Sequence, residues 1–200
     1  MKGSDPDSPT SAPHSPDSRR CDVAVATAWG AAEATFFFLV PDVWLTRLAL
    51  KDRASSLLLP FAGALAGALA GGALLHLLAG SGSAAGLLRA MDFVPAIDAT
   101  LIQRAGNDLQ HSGWPALFRG ALTGTPYKLY AVHAGAGAMS LFSFLAVSVV
   151  ARGARFALTL ALTLGVKHLF LRRTSLRTAL TLHAVVWSIF YLCYFAAFRG

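Results

Sequence analysis

The chain has 200 residues, 55% of them apolar and only 14% charged, with a mean hydropathy of +0.55. That is more apolar surface than a single soluble core of this length buries, and it points to an integral membrane protein. The net charge of +7 does not point to nucleic acid, because the basic residues stand singly or in small clusters beside apolar runs rather than along one polar face.

Residues 1–20 combine Pro, Ser and Asp with almost no large apolar side chain, so burial cannot offset the entropy of ordering them. They are expected to form a disordered tail, followed by a single membrane domain over 21–200. Val23 to Leu50 comes next, apolar but interrupted by Glu33, Pro41 and Asp42. Glu33 is the only glutamate in the chain. Basic residues flank the segment on both sides, Arg19 and Arg20 before it and Arg47, Lys51 and Arg53 after it. A simple crossing would leave one cluster on the translocated side, where positive charge is disfavoured, whereas a re-entrant hairpin over about 23–50 keeps both on the same side. Pro41 supplies the break in helical hydrogen bonding at the tip.

Leu57 to Ala79 meets the length of about 20 residues that a helix needs to cross a bilayer, with only His76 ionisable. Its Gly63, Gly67 and Gly71 recur every fourth position and allow a second helix to approach closely. Ser81 to Ser112 carries Arg89, Asp92, Asp98, Arg104 and Asp108 and reads as one or two helices at the membrane surface. Trp114 to Val150 is apolar again but broken at Thr123-Gly124-Thr125-Pro126, which predicts a second re-entrant hairpin over about 114–139 with Gly124, Pro126 and Gly135 at its tip. Further spans are expected at about 156–171 and about 176–198. Arg152 and Arg155, with Arg172, Arg173 and Arg177, read as solvated ends of the first of these. The expected fold is thus all-α, two re-entrant hairpins among three to four membrane-spanning helices.

Two interrupted apolar segments in corresponding halves point to a transporter with its binding site where the broken tips meet. Glu33 and Asp42 belong to the first hairpin, Arg119 and Lys128 to the second, and the cost of isolated charge in low dielectric predicts that Glu33 faces Arg119 or Lys128. His133, beside Ala134-Gly135, is a candidate proton relay, although a histidine so placed more often bonds a backbone carbonyl.

"EATFFFLVPDVWL", from Glu33 to Leu45, resembles the first re-entrant loop of the DedA family, also called the VTT or SNARE-associated Golgi protein family. "HSGWPALFRGALTGTPYKLYAVHAGAGAMSLFSFL" followed by "RGARF" resembles the second loop of its small YqaA-like branch. The resemblance covers about Val23 to about Gly165. It implies two oppositely inserted hairpins and transport of a phospholipid or polyprenyl phosphate, dependent on the proton gradient, in the bacterial plasma membrane. By position it makes Glu33 the first-loop acid, Asp42 the acid after the loop proline, Arg119 the opening arginine of the second loop, and Lys128 a neighbour of a second cation. Larger members supply that cation as arginine, which grips phosphate bidentately as lysine does not.

The remaining candidate chemistry is sparse. The six histidines show no ligand spacing, Cys21 and Cys193 stand at opposite ends of the chain, and no serine sits in a nucleophile elbow, so no metal, cofactor or enzymatic activity is expected. The sequence reads as a carrier or scramblase of phosphate-bearing lipid, with membrane lipids and protons as partners and a homo-oligomer as a further expectation. The alternatives are a scaffold that oligomerises through its glycine-rich helix and an intramembrane enzyme acting on lipid phosphate.

Overall fold

The computed structural model describes residues 16–52, 54–171 and 174–197. Most of the expected tail, together with Arg53, Arg172 and Arg173, lies outside these residues, while Pro16 to Arg20 already form the opening of the first helix. Among the described residues the chain is helical throughout and has no strand. Its helices are α1 (Pro16–Thr35), α2 (Asp42–Lys51), α3 (Leu58–Leu78), α4 (Ala84–Met91), α5 (Ala99–Ser112), α6 (Pro115–Thr123), α7 (Tyr127–His133), α8 (Leu141–Leu169) and α9 (Leu176–Ala197). Three helical stretches, Ala54–Met91, Leu141–Leu169 and Leu176–Ala196, are long and apolar enough to cross a membrane.

The chain reverses at the first Pro break. α1 closes with the Phe36 and Phe37 amides both donating to the Ala32 carbonyl. Pro41 then biases Val40 away from helical geometry, and α2 restarts with Asp42 in its first turn, where a carboxylate complements the helix dipole. α2 runs back along α1: the Trp29 indole donates to the Leu39 carbonyl at 3.0 Å, the Trp44 indole to the Asp22 carbonyl at 3.3 Å, and the two rings stack at 6.4 Å.

α1 and α3 run side by side in the same direction. Cβ positions built on Gly63, Gly67 and Gly71 would meet, in that order, Val23 and Thr27, the Thr27 carbonyl, and Ala31 and Ala34, while one on Gly30 would meet the Ala64 carbonyl. Close approach of two backbones, which only glycine permits, is what the four-residue spacing encodes.

A second reversal comes from the other end of the molecule. Pro115 opens α6 at a position whose amide needs no partner, and Gly124, at φ 86°, closes it by donating to the Gly120 carbonyl. After Pro126, α7 returns beside α6, with the Tyr130 ring over Gly120. α8 then runs antiparallel to α3, with Phe144 at His76 (5.4 Å) and Phe156 at Phe61 (6.3 Å). It ends with the Lys167 ammonium on the carbonyls of Ala49 and Asp52. α8 is one helix from Leu141, not a span beginning near Phe156, so Arg152 and Arg155 fall near its middle rather than at its end. Gly135 is also corrected. It lies not at the tip but beyond the far end of α7, pressed against the His76 carbonyl.

Candidate functional site

The tips of the two reversals meet. The Lys128 ammonium, at the start of α7, donates to the Phe37 carbonyl in the break after α1 at 2.6 Å. Around this contact lies a cavity of about 190 Å³. Its charged walls are Glu33, Asp42, Lys128 and Arg155, with Gly124, Thr125 and Pro126 lining it from the second tip. Val94, Pro95 and Ile97, from the turn between α4 and α5, close one side, and aromatic side chains of α9 close another.

Both acids are ion-paired, to partners on α8. The Arg152 guanidinium donates to Glu33 at 2.5 Å, and that of Arg155 to Asp42 at 2.8 Å. Arginines three residues apart share one helical face, so a single element holds both arms of the first reversal. This corrects the expected pairing of Glu33 with Arg119; Lys128 does share the cavity wall and the field of Glu33, but the direct ion pair is with Arg152. Sequence reasoning missed Arg152 and Arg155 because the apolar window was started at Phe156; taken from Leu141, the same window places both arginines well inside an apolar run.

The two pairs differ in access. The Arg152 and Glu33 side chains are 4% and 7% exposed, and the guanidinium is sandwiched at 4.5 Å from the Tyr127 ring and 5.2 Å from Phe156. That arrangement suits arginine, whose planar charge tolerates aromatic contact. Arg155 retains 23% of its side-chain exposure and faces the cavity. Asp42 is buried, yet its Oδ1 has no hydrogen-bond partner among the described residues, so the carboxylate keeps one acceptor for a donor reaching it through the cavity. Over the five charged groups, two carboxylates face three cations, an excess of one positive charge that resides on Lys128, which is bonded to a neutral carbonyl.

The remaining sequence candidates lie elsewhere. Arg119 is exposed on α6 and bonds the Ser112 hydroxyl, away from the cavity. His133 shares a hydrogen bond with the Ile102 carbonyl at 3.0 Å, with its ring filling the space over Gly106. Pro41, Gly124 and Pro126 are at the two tips as expected. The described residues hold no cluster of three or more metal-ligating side chains. No family model, no curated protein and no solved structure matches the chain.

Proposed function

We propose that the protein is a membrane lipid transporter or scramblase of the DedA type, moving a phosphate-bearing lipid and residing in the bacterial plasma membrane. The supporting observation is the cavity between two oppositely directed reversals, at which both acids are ion-paired to α8 while the Lys128 ammonium bonds a neutral carbonyl. In this reading the reversals are re-entrant hairpins, tolerated at membrane depth because their irregular backbone lines a polar cavity. The phosphate is drawn to Lys128 and Arg155. Asp42 releases Arg155 as the phosphate arrives and takes it back as the phosphate leaves. Glu33 and Arg152 hold the first hairpin against α8 while this happens.

Lys128→Met and Arg155→Gln are each expected to slow translocation of fluorescent phosphatidylglycerol in proteoliposomes by about ten- to a hundredfold. That corresponds to losing a charge-assisted hydrogen bond of about 1.5–3 kcal/mol. Unchanged rates in both variants, with folding intact, refute the mechanism. The scaffold alternative relies on a glycine stripe that α1 already covers within the chain.

Orientation follows from the charges. Arg19, Arg20, Lys51, Lys167 and Arg177 gather at the end where α1, α3 and α9 begin, against Arg89, Arg104 and Arg119 at the other. The richer end is therefore cytoplasmic. In a background carrying Cys21→Ser and Cys193→Ser, a membrane-impermeant maleimide is expected to label Ser81→Cys in intact cells and Ser55→Cys only after permeabilisation. The reverse pattern inverts the topology.

A further inference from the structure

A second, shallower depression of about 440 Å³ lies on the outer flank of the molecule, between the first reversal and α9. Trp29, Leu39, Val43, Trp187 and Phe195 line it, with Arg47 at one rim, and there is no carboxylate among its walls. Several of its polar groups are engaged inward. The Trp29 N–H is taken by the Leu39 carbonyl, the Trp187 N–H by the Thr46 hydroxyl at 3.2 Å, and the Tyr191 hydroxyl accepts from the Val40 amide at 2.9 Å. Apart from Arg47, His183 and Ser188, the walls are aromatic and aliphatic side chains, a surface suited chiefly to hydrocarbon.

Trp187 and Tyr191, stacked at 5.9 Å, line both this groove and the charged cavity. The two spaces are thus adjacent compartments with a shared aromatic wall. α9, which supplies that wall, packs chiefly on α2 and is otherwise exposed. It is a lightly anchored boundary of the cavity: for it to part from the reversal, the bonds of His183 and Trp187 to the Thr46 hydroxyl, that of Tyr191 to the Val40 amide, and the aromatic contacts must break.

Resting on the transporter reading, we propose that the groove between the first reversal and α9 seats a hydrocarbon chain of the same amphiphile whose phosphate occupies the cavity, so that the ligand is admitted sideways from the bilayer past Trp187 and Tyr191. The Lys128 and Arg155 cations on one side of the shared wall and the largely apolar, carboxylate-free groove on the other match the two halves of an anionic amphiphile. Neither a free phosphate nor a headgroup alone would engage both.

The test uses the full chain in phosphatidylcholine vesicles with a phosphatidic acid probe carrying a diazirine near the end of one acyl chain. Photo-crosslinks are mapped by mass spectrometry and are expected on the segments around Leu39 and Trp187. Ser188→Trp fills the groove from a wall residue that does not border the cavity, and Ala184→Phe does so independently should the first variant misfold. Each is expected to cut crosslinking at these segments at least about tenfold. Lys128→Met is expected to lower it as well, and inorganic phosphate to compete only weakly. If Lys128→Met lowers crosslinking and folded groove-filled variants do not, the cavity reading stands and the groove proposal falls. If the groove variants lower it and Lys128→Met does not, the groove holds chains unconnected with the cavity, and the proposal again falls. If no variant changes it, both readings fail.

Discussion

Arg152→Met is expected to be the most damaging single change of a charged residue in this protein. It removes the partner of Glu33 from a site where both side chains are almost wholly enclosed, leaving a buried carboxylate at the cavity wall with the more distant Lys128 as the cation in reach. Breaking a buried pair in this way costs about 3–5 kcal/mol, much of it the penalty on the surviving charge rather than the worth of the pair. The double variant Glu33→Gln/Arg152→Met removes both charges and is expected to recover most of that loss, because the desolvation penalty disappears from both sides. Denaturant unfolding of the detergent-purified protein reads the difference. Arg155→Met is expected to cost less, about 1.5–3 kcal/mol, since Arg155 is partly open to the cavity and Asp42 can be reached by other donors. The same double variant separates two roles for Glu33. Restored stability with most of the translocation rate retained makes the pair a lock between the first hairpin and α8. Restored stability with translocation abolished makes Glu33 an exchange group in its own right, and the assignment of exchange to Asp42 alone is then wrong.

The half of this site that could be read from the sequence is the half encoded locally. A lone glutamate, a Pro-Asp pair and a lysine after Gly-Thr-Pro are anomalous within apolar runs whatever they touch, and Gly124 and Pro126 mark a reversal by backbone chemistry alone. The ion-pair partners are different in kind. Arg152 lies 119 residues from Glu33 and Arg155 lies 113 from Asp42, so the pairing depends on α8 crossing both arms of the first reversal, which no local pattern records. Arg119 fails to reach the cavity for a reason of helical phase: its neighbour Gly120 faces α7, and one residue further round the helix points outward. Gly135 falls away from the tip because nine residues beyond Pro126 in helical geometry carry the chain about 13 Å from it. The four-residue glycine spacing on α3 is legible as a close-approach surface, and the tertiary structure identifies α1 as the helix that uses it.

Gly67→Val is expected to be the most damaging substitution of an uncharged residue. A Cβ there would run into the Thr27 carbonyl and its carbon at 2.9 Å, and a backbone group in a packed helix cannot swing aside as a side-chain end would. Overpacking of this kind costs about 1–3 kcal/mol where neighbours can shift. With backbone on both sides of the contact, the upper part of that range is expected. Gly30→Val meets the Ala64 carbonyl from the other helix and should act alike, and because the two sites touch the same seam their effects should not add. Gly86→Ala, in α4 with open space around it, is the control and should be neutral or stabilise by up to about 1 kcal/mol. The consequence for function is mechanical. α1 carries Glu33 and leads two residues past its end to the Phe37 carbonyl that Lys128 holds, so pushing α1 off α3 displaces one wall of the cavity. Stability and lipid translocation should therefore fall together in Gly67→Val, with the particle size of the surviving folded fraction in detergent unchanged. A variant that keeps its unfolding midpoint and its translocation rate but loses a larger assembly would mean that the stripe serves contacts between copies of the chain, and the α1–α3 seam would then have to give way to an intermolecular one.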